Sequence, residues 1–372
     1  MDTYELFYRN EDRTIGGQIT TFELLTMKPT FNNIGSWSLI APVDVLRTIV
    51  WKGGLAVTRN GVPFFSGRPG SYKRIKDLTT FPIIDTLELT GEDDNCYLQD
   101  LMALPVPAGP PYSSAEFDVR TGIFETVAKA YVNANIGPGA KTDRVINGLT
   151  IEADYGQGNS VSGSARFSSL LALLQNLAIQ GGGMGFRIVG MEFQVYSPTD
   201  RSASVIFSEE LGNMSGFDYT IGRPKANYIY LGGTGDGSAR VIAEGLDPES
   251  VVTFERVEEF LDQSSLSDAT AMQAAIQTEL TKKSKQFSLE ISPVSLPELR
   301  AIDDYWLGDK VSAVIDGEMI QDIISAVEIE ITATTQKVMP IIGANDLDAD
   351  EFSELYSTMR QIAARLGALE RK

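Results

Sequence analysis

A chain of 372 residues with 43% hydrophobic and 22% charged residues has the composition of a soluble globular protein and length for two or three units, each with its own core. Its lack of histidine and its single cysteine, Cys96, exclude histidine-based triads, histidine-bearing zinc sites and an intrachain disulfide framework. With 31 basic and 50 acidic residues, a net charge of −19, the chain repels a phosphate backbone, so tight nucleic-acid binding is disfavoured.

The first hundred residues read as β structure. YELFYR alternates, and so does GSWSLIAP, with Trp37 and Leu39 on one face. VDVLRTIVW (43–51) is short enough for a helical turn. LAVTRNGVPFFSG is a hairpin, with Leu55 and Val57 on one arm, Val62 and Phe64 on the other, and Asn60-Gly61 at the bend. Asn-Gly suits a type I′ turn because both central residues need positive φ. IIDTLELTG adds another strand, and closely spaced short strands suggest a small barrel or sandwich.

LPVPAGPPYSS (104–114) is a proline-rich break and the first candidate boundary. TGIFETVAKAYVNANIG then places Ile123, Val127, Ala130 and Tyr131 at helical spacing, ending on Gly137. SARFSSLLALLQNLAIQGG places Phe167, Leu170, Leu171, Leu174 and Leu177 on one helix face, with Gly181 in the position just past the end. GFRIVGMEFQVYSP returns to alternation, so residues 107–214 read as α/β. Beyond 215 strands dominate: NYIYLGG, SARVIAE, VVTFERV, KVSAVI and AVEIEITATTQK. One helix interrupts them over 267–286, opening on Ser267 with Asp268 behind it and closing on lysines, an order that suits the helix dipole.

In the last segment, 346–372, Phe352, Leu355, Met359, Ile362, Leu366 and Leu369 recur at spacings of 3 and 4 in turn. That is an a/d heptad seam, and Arg365 at g would face Glu370 at e′ of a parallel neighbour. The narrow stripe favours self-association; docking onto the chain's own β domains is the alternative.

Candidate chemistry is sparse. YIYLGGTGDGSAR (228–240) is rich in glycine, yet it lacks the third glycine of a dinucleotide fingerprint and the lysine of a phosphate loop. The residues after it alternate like a strand, so no helix N-terminus is there to hold phosphate. A hairpin with Asp236-Gly237 near the bend is expected. Glu92, Asp93 and Asp94 in GEDDN lack calcium-loop spacing and read as a solvated turn. Asp303 and Asp304 are adjacent and cannot converge. Cys96 has no basic sequence neighbour and reads as core packing, as do Trp37, Trp51 and Trp306. QGGGMGF (180–186) runs helix to strand, the reverse of a phosphate loop. No catalytic, cofactor or metal residues are assigned.

The order of segments resembles the baseplate hub, or tail-associated, proteins that close the tail tube of long-tailed bacteriophages. The residues that carry this are WSLIAP (37–42), NGVPFFSG (60–67), LELTGEDDNCYLQDLMALPVP (87–107), the helix SLLALLQNLAIQGGGMGFRI, and the run 193–240. In the last of these, Asp200-Arg201-Ser202, Phe207-Ser208, Gly212-Asn213, Pro224, Asn227 and Arg240 look most like the family. The resemblance implies a protein that is mainly β with an α+β middle: two tube-like antiparallel β-barrel domains, an α/β insertion and a C-terminal coiled-coil helix. The expected boundaries are 1–106 for the first barrel, which strands at 215–245 complete if the barrels are not consecutive, 107–214 for the middle, and 215–345 for the second barrel.

The implied role is structural, in the virion, after synthesis in the bacterial cytoplasm. A homotrimer would adapt the six-fold tube to a three-fold tip. Its partners would be the distal tail and tail tube proteins above, the tape measure protein, and a central fibre, spike or other tip protein below. DNA would pass without tight binding, with no cofactor, enzymatic activity or membrane span. The competing expectations are a tail-tip cell-wall hydrolase, for which the chain has no room after its barrels before Lys372, and a receptor-binding module for carbohydrate, which would need an exposed aromatic platform.

Overall fold

A computed structural model describes residues 2–77, 84–264, 266–283, 287–294, 296 and 299–343. The heptad seam of Phe352, Leu355, Met359, Ile362, Arg365, Leu366, Leu369 and Glu370 lies outside the described residues. The chain divides into two compact units, Met1–Gly216 with Ile291–Pro340, and Phe217–Glu290 with Ile341–Lys372.

The N-terminal strands are β1 (Tyr4–Arg9), β2 (Ile15–Ile19), β3 (Leu24–Lys28), β4 (Ser36–Pro42), β5 (Gly54–Arg59), β6 (Val62–Asp77) and β7 (Ile84–Asp93), with the short helix α1 (Val43–Leu46) after β4. They lie side by side in the order β3-β4-β7-β6-β5-β1-β2, each pair antiparallel. Period-two alternation turns Leu25, Met27, Trp37, Leu39, Leu55 and Val57 into the core. Asn60 (φ 53°) and Gly61 (φ 79°) form the expected left-handed pair between β5 and β6. Among the described residues β2 has β1 as its sole strand neighbour, so the path is an open antiparallel sheet and not a closed barrel.

Next come α2 (Cys96–Asp100), β8 (Met102–Ala103), β9 (Asp118–Ile123), α3 (Phe124–Asn135), β10 (Thr150–Ile151), β11 (Ser160–Ala165), β12 (Ser168–Ser169), α4 (Leu170–Gln180), β13 (Gly185–Val189) and β14 (Glu192–Tyr196). Phe124, Val127, Tyr131, Leu170, Leu174 and Leu177 bury the facing stripes of α3 and α4 together with Phe186 and Phe193. Three details differ from the helical reading of the sequence. Ile123 ends β9 and is exposed, so the buried stripe of α3 begins at Phe124. Phe167 lies outside α4 with φ 52° and is half exposed, because Ser169 caps the helix by accepting from Ala172 N. Gly181 is right-handed at φ −68°, and the left-handed residue is Gly182 at φ 95°.

The remainder runs β15 (Ile206–Ser208), β16 (Met214–Ile221), β17 (Tyr228–Gly232), β18 (Ile242–Leu246), α5 (Pro248–Phe254), β19 (Glu258–Asp262), α6 (Ala269–Lys283), β20 (Phe287–Pro293), β21 (Lys310–Ile315), β22 (Glu318–Ile331) and β23 (Gln336–Gly343). In the first unit β22 joins the N-terminal sheet, with Ile329 opposite Met27 and Ile331 opposite Leu25. It carries β21 beside it, and β21 pairs in parallel with β15.

In the second unit β17 is the middle of a three-stranded sheet, antiparallel to β18 and parallel to β19. Met272, Ile276 and Leu280 of α6 pack on Ala226, Ile229 and Leu231. VVTFERV is not the expected strand: residues 251–254 belong to α5. Asp247 accepts from Ser250 N at 3.1 Å and Pro248 begins the first turn, so capping and a preset φ override the β propensity of two valines. The cap of α6 is Asp268, which accepts from Ala271 N at 2.8 Å, and not Ser267.

Candidate functional site

The glycine-rich stretch is a hairpin, with Gly232 of β17 opposite Ile242 of β18. The second strand begins at Ile242 and not at Ser238, because a single 3-10 turn occupies Gly237–Ala239. Glycine serves close backbone approach: a Cβ at Gly233 would lie 2.4 Å from the Leu266 carbonyl oxygen, and one at Gly235 2.5 Å from that of Ala239. Arg240 folds back over the loop, donating to the carbonyls of Gly232 (2.9 Å) and Gly233 (3.1 Å) and pairing with Asp262. The loop therefore presents carbonyls to its own arginine in place of a row of N–H groups to a phosphate.

GEDDN is not a solvated turn. Asp93, Asp94 and Asn95 are buried, and Asp94 anchors a polar hub. Arg9 Nη1 and Nη2 donate to its two carboxylate oxygens at 2.7 and 2.9 Å. Ser66 Oγ donates to it at 2.5 Å and in turn accepts from Gly190 N at 3.0 Å. Arg9 Nε holds the Gly53 carbonyl at 3.0 Å. Asn95 donates to the Asn33 carbonyl and accepts from Ile188 N, both at 2.8 Å. Burial, reinforced by Asp94, pushes the Asp93 carboxyl well above the usual carboxylate range despite hydrogen bonds from Gly35 and Asn95. Asn95 and Ser66, the latter held by Asp94, thus tie the β13–β14 hairpin to the N-terminal sheet. The basic partner stands 85 residues earlier, so no local pattern announced it.

The other polar residues singled out in the sequence are occupied in the same way. Asp200 Oδ1 accepts from Ser202 N at 3.0 Å, fixing a turn. Arg201 Nε donates to Asp309 at 2.8 Å. Asn213 accepts from Ser208 N at 2.8 Å and donates to the Ile206 carbonyl at 2.7 Å. Asn227 bridges Val257 N (2.7 Å) and the Glu255 carbonyl (2.7 Å). Buried backbone groups need such partners, which explains polar side chains in apolar surroundings. Asp303 pairs with Arg59 at 2.8 Å, and Asp304 accepts from Arg300 N at 2.7 Å.

A buried set that the sequence reading passed over is Lys129, which donates to Glu125 (2.6 Å), Glu152 (3.1 Å) and the Ala153 carbonyl (2.6 Å). The i, i+4 spacing of Glu125 and Lys129 on α3 was the available signal. Cys96 is buried as expected, and burial pushes its thiol up; Arg68 acts in the opposite sense but is outweighed.

The tryptophans divide. Trp37 is buried and Trp306 half buried, but Trp51 is 56% exposed in the turn between α1 and β5. No group of three or more His, Cys, Asp or Glu among the described residues is placed to hold a metal. No helix among them is long and apolar enough to cross a membrane.

These features define a class: a β-rich protein whose buried polar groups secure turns and latch segments together. The chain belongs to the siphovirus ReqiPepy6 Gp37-like protein family, whose profile matches residues 4–344. That membership bears out the resemblance to a phage tail-tip family. Its fold is similar to the 43 kDa tail protein of prophage MuSo2 from Shewanella oneidensis, at 14% identity and TM-score 0.58 over 91% of this chain and 97% of that one. A tail protein from Neisseria meningitidis MC58 gives 14% identity and TM-score 0.60 over 92% and 97%. Prophage tail protein gp18 from Listeria monocytogenes EGD-e gives 12% and 0.52 over 98% and 99%. Comparison with the curated proteins finds no match.

Proposed function

We propose that this protein is the structural hub of a phage tail tip. Three copies close a ring that adapts the six-fold tube above to a three-fold tip below, gates DNA passage and anchors a central fibre or spike. The observation that carries the reading is the fold shared with phage tail proteins over nine-tenths of the chain. In the ring the open sheet edges of each chain are covered by neighbouring copies. Distal tail and tube proteins sit above and the tape measure protein within. The charge of −19 per chain becomes −57 in a trimer, and an acidic lumen lets DNA slide without sticking. The hub transforms no substrate.

In this reading Phe352, Leu355, Met359, Ile362, Leu366 and Leu369 form a seam on the three-fold axis, with Arg365 facing Glu370 of a neighbour, held together by the ring at high effective concentration. Light scattering on the purified chain is expected to give three times 40.5 kDa, about 122 kDa. Ile362→Asp with Leu366→Asp is expected to lower that mass or loosen the lower end in electron micrographs of tails. Labelled virions carrying the protein away from the tip, or in single copies, would overturn the proposal.

A further inference from the structure

Trp51 stands at the rim of an open cleft of about 820 Å³ on the sheet face built by β3, β4, β7 and β6. Its turn is held in place, since Arg9 fixes the Gly53 carbonyl. Cβ atoms at Gly53 and Gly54 would lie 2.1 and 2.0 Å from carbonyl oxygens. The sheet below carries a row of hydroxyls across four strands: Thr26 is opposite Ser38, Ser38 opposite Thr90, and Thr90 opposite Ser71. At about 4.8 Å between strands the row spans about 14 Å. A bulge falls between Pro69 and Ser71. Such bulges gather beside binding sites.

The charge at the cleft is balanced. Arg68 pairs with Glu92 at 3.2 Å and Asp100 at 2.5 Å, leaving no cation free for a phosphate or nucleic acid. A floor of hydroxyls is also unlike the apolar core of a protein interface. We infer that this cleft binds a neutral oligosaccharide. A pyranose has a C–H face that stacks on an indole and a rim of hydroxyls that exchange hydrogen bonds with Ser, Thr, Arg and Glu.

The test is binding of the full chain to an array of neutral oligosaccharides, with affinity for the best of them measured by calorimetry. Trp51→Ala is expected to weaken binding about tenfold or more and Trp51→Phe to restore much of it, at unchanged melting temperature. Thr90→Val, which interrupts the hydroxyl row and leaves the indole in place, is expected to weaken binding about threefold. Binding to none of the glycans, or equal binding by wild type and Trp51→Ala, overturns the inference. So does a fall in solution mass of Trp51→Ala without loss of a glycan, which would make this face a contact between copies of the chain.

Discussion

Asp94→Asn is the sharpest perturbation of the buried hub. The Arg9 and Asp94 side chains are 2% and 0% exposed and share two hydrogen bonds. The substitution keeps the shape but removes the charge, leaving a guanidinium away from water without its counter-ion. The expected cost is about 3–5 kcal/mol. For a unit of this size that is a fall of about 10 °C in its melting temperature. The paired replacement Arg9→Met with Asp94→Leu removes the desolvation penalty together with the attraction, so it should recover most of the loss. Urea unfolding of the wild type, Asp94→Asn, Arg9→Met, Asp94→Leu and the double variant measures both quantities. A loss below about 1 kcal/mol for Asp94→Asn, or a double variant no better than the single ones, would refute the account of the hub as a desolvated ion pair.

Asp93 offers a pH-dependent counterpart. Its folded pKa stands above the unfolded value of about 3.9, so the folded chain keeps a proton that the unfolded chain releases. That contribution is complete below about pH 3.9 and is lost as pH rises toward the folded value, by up to about 1.4 kcal/mol per pH unit. Asp93→Asn should flatten the slope of urea stability between pH 4 and 7 and raise stability at neutral pH; an unchanged slope would count against a protonated Asp93. In the second unit, Asp247→Ala removes the cap on Ser250 N and should cost about 1 kcal/mol. Thermal melting that is unmoved by this change would mean that proline, and not the cap, sets the start of α5.

Sequence pattern located most of the first unit's elements because each is specified locally. The strands β1, β4, β5 and β7 form where the short apolar runs stand, with alternating burial in β4, the β5–β6 bend follows Asn60-Gly61, and the α4 stripe follows leucine spacing. The misreadings occur where two local signals compete, as at VVTFERV, where the Asp247 cap and Pro248 outweigh β-branched residues, or where the deciding partner is distant. Of the residues that looked most like a phage tail family, Arg201, Asn213, Asn227 and Arg240 were legible as conspicuous polar positions. Their work in holding backbone groups was not, because each acts through a hydrogen bond to a turn or to another segment.

By itself the amino-acid sequence determined the exclusion of histidine chemistry, the mainly β character, the hairpin nature of the glycine stretch and the resemblance to tail-tip proteins. All of these depend on composition, on residue order and on interactions within a few positions. Only tertiary structure decided that Asp94 is buried against Arg9, that β22 lies beside β3, and that Trp51 faces water while Trp37 does not. Burial and charge pairing are properties of what surrounds a side chain. Here the surroundings come from strands far apart along the chain, whose pairing no short window of sequence contains.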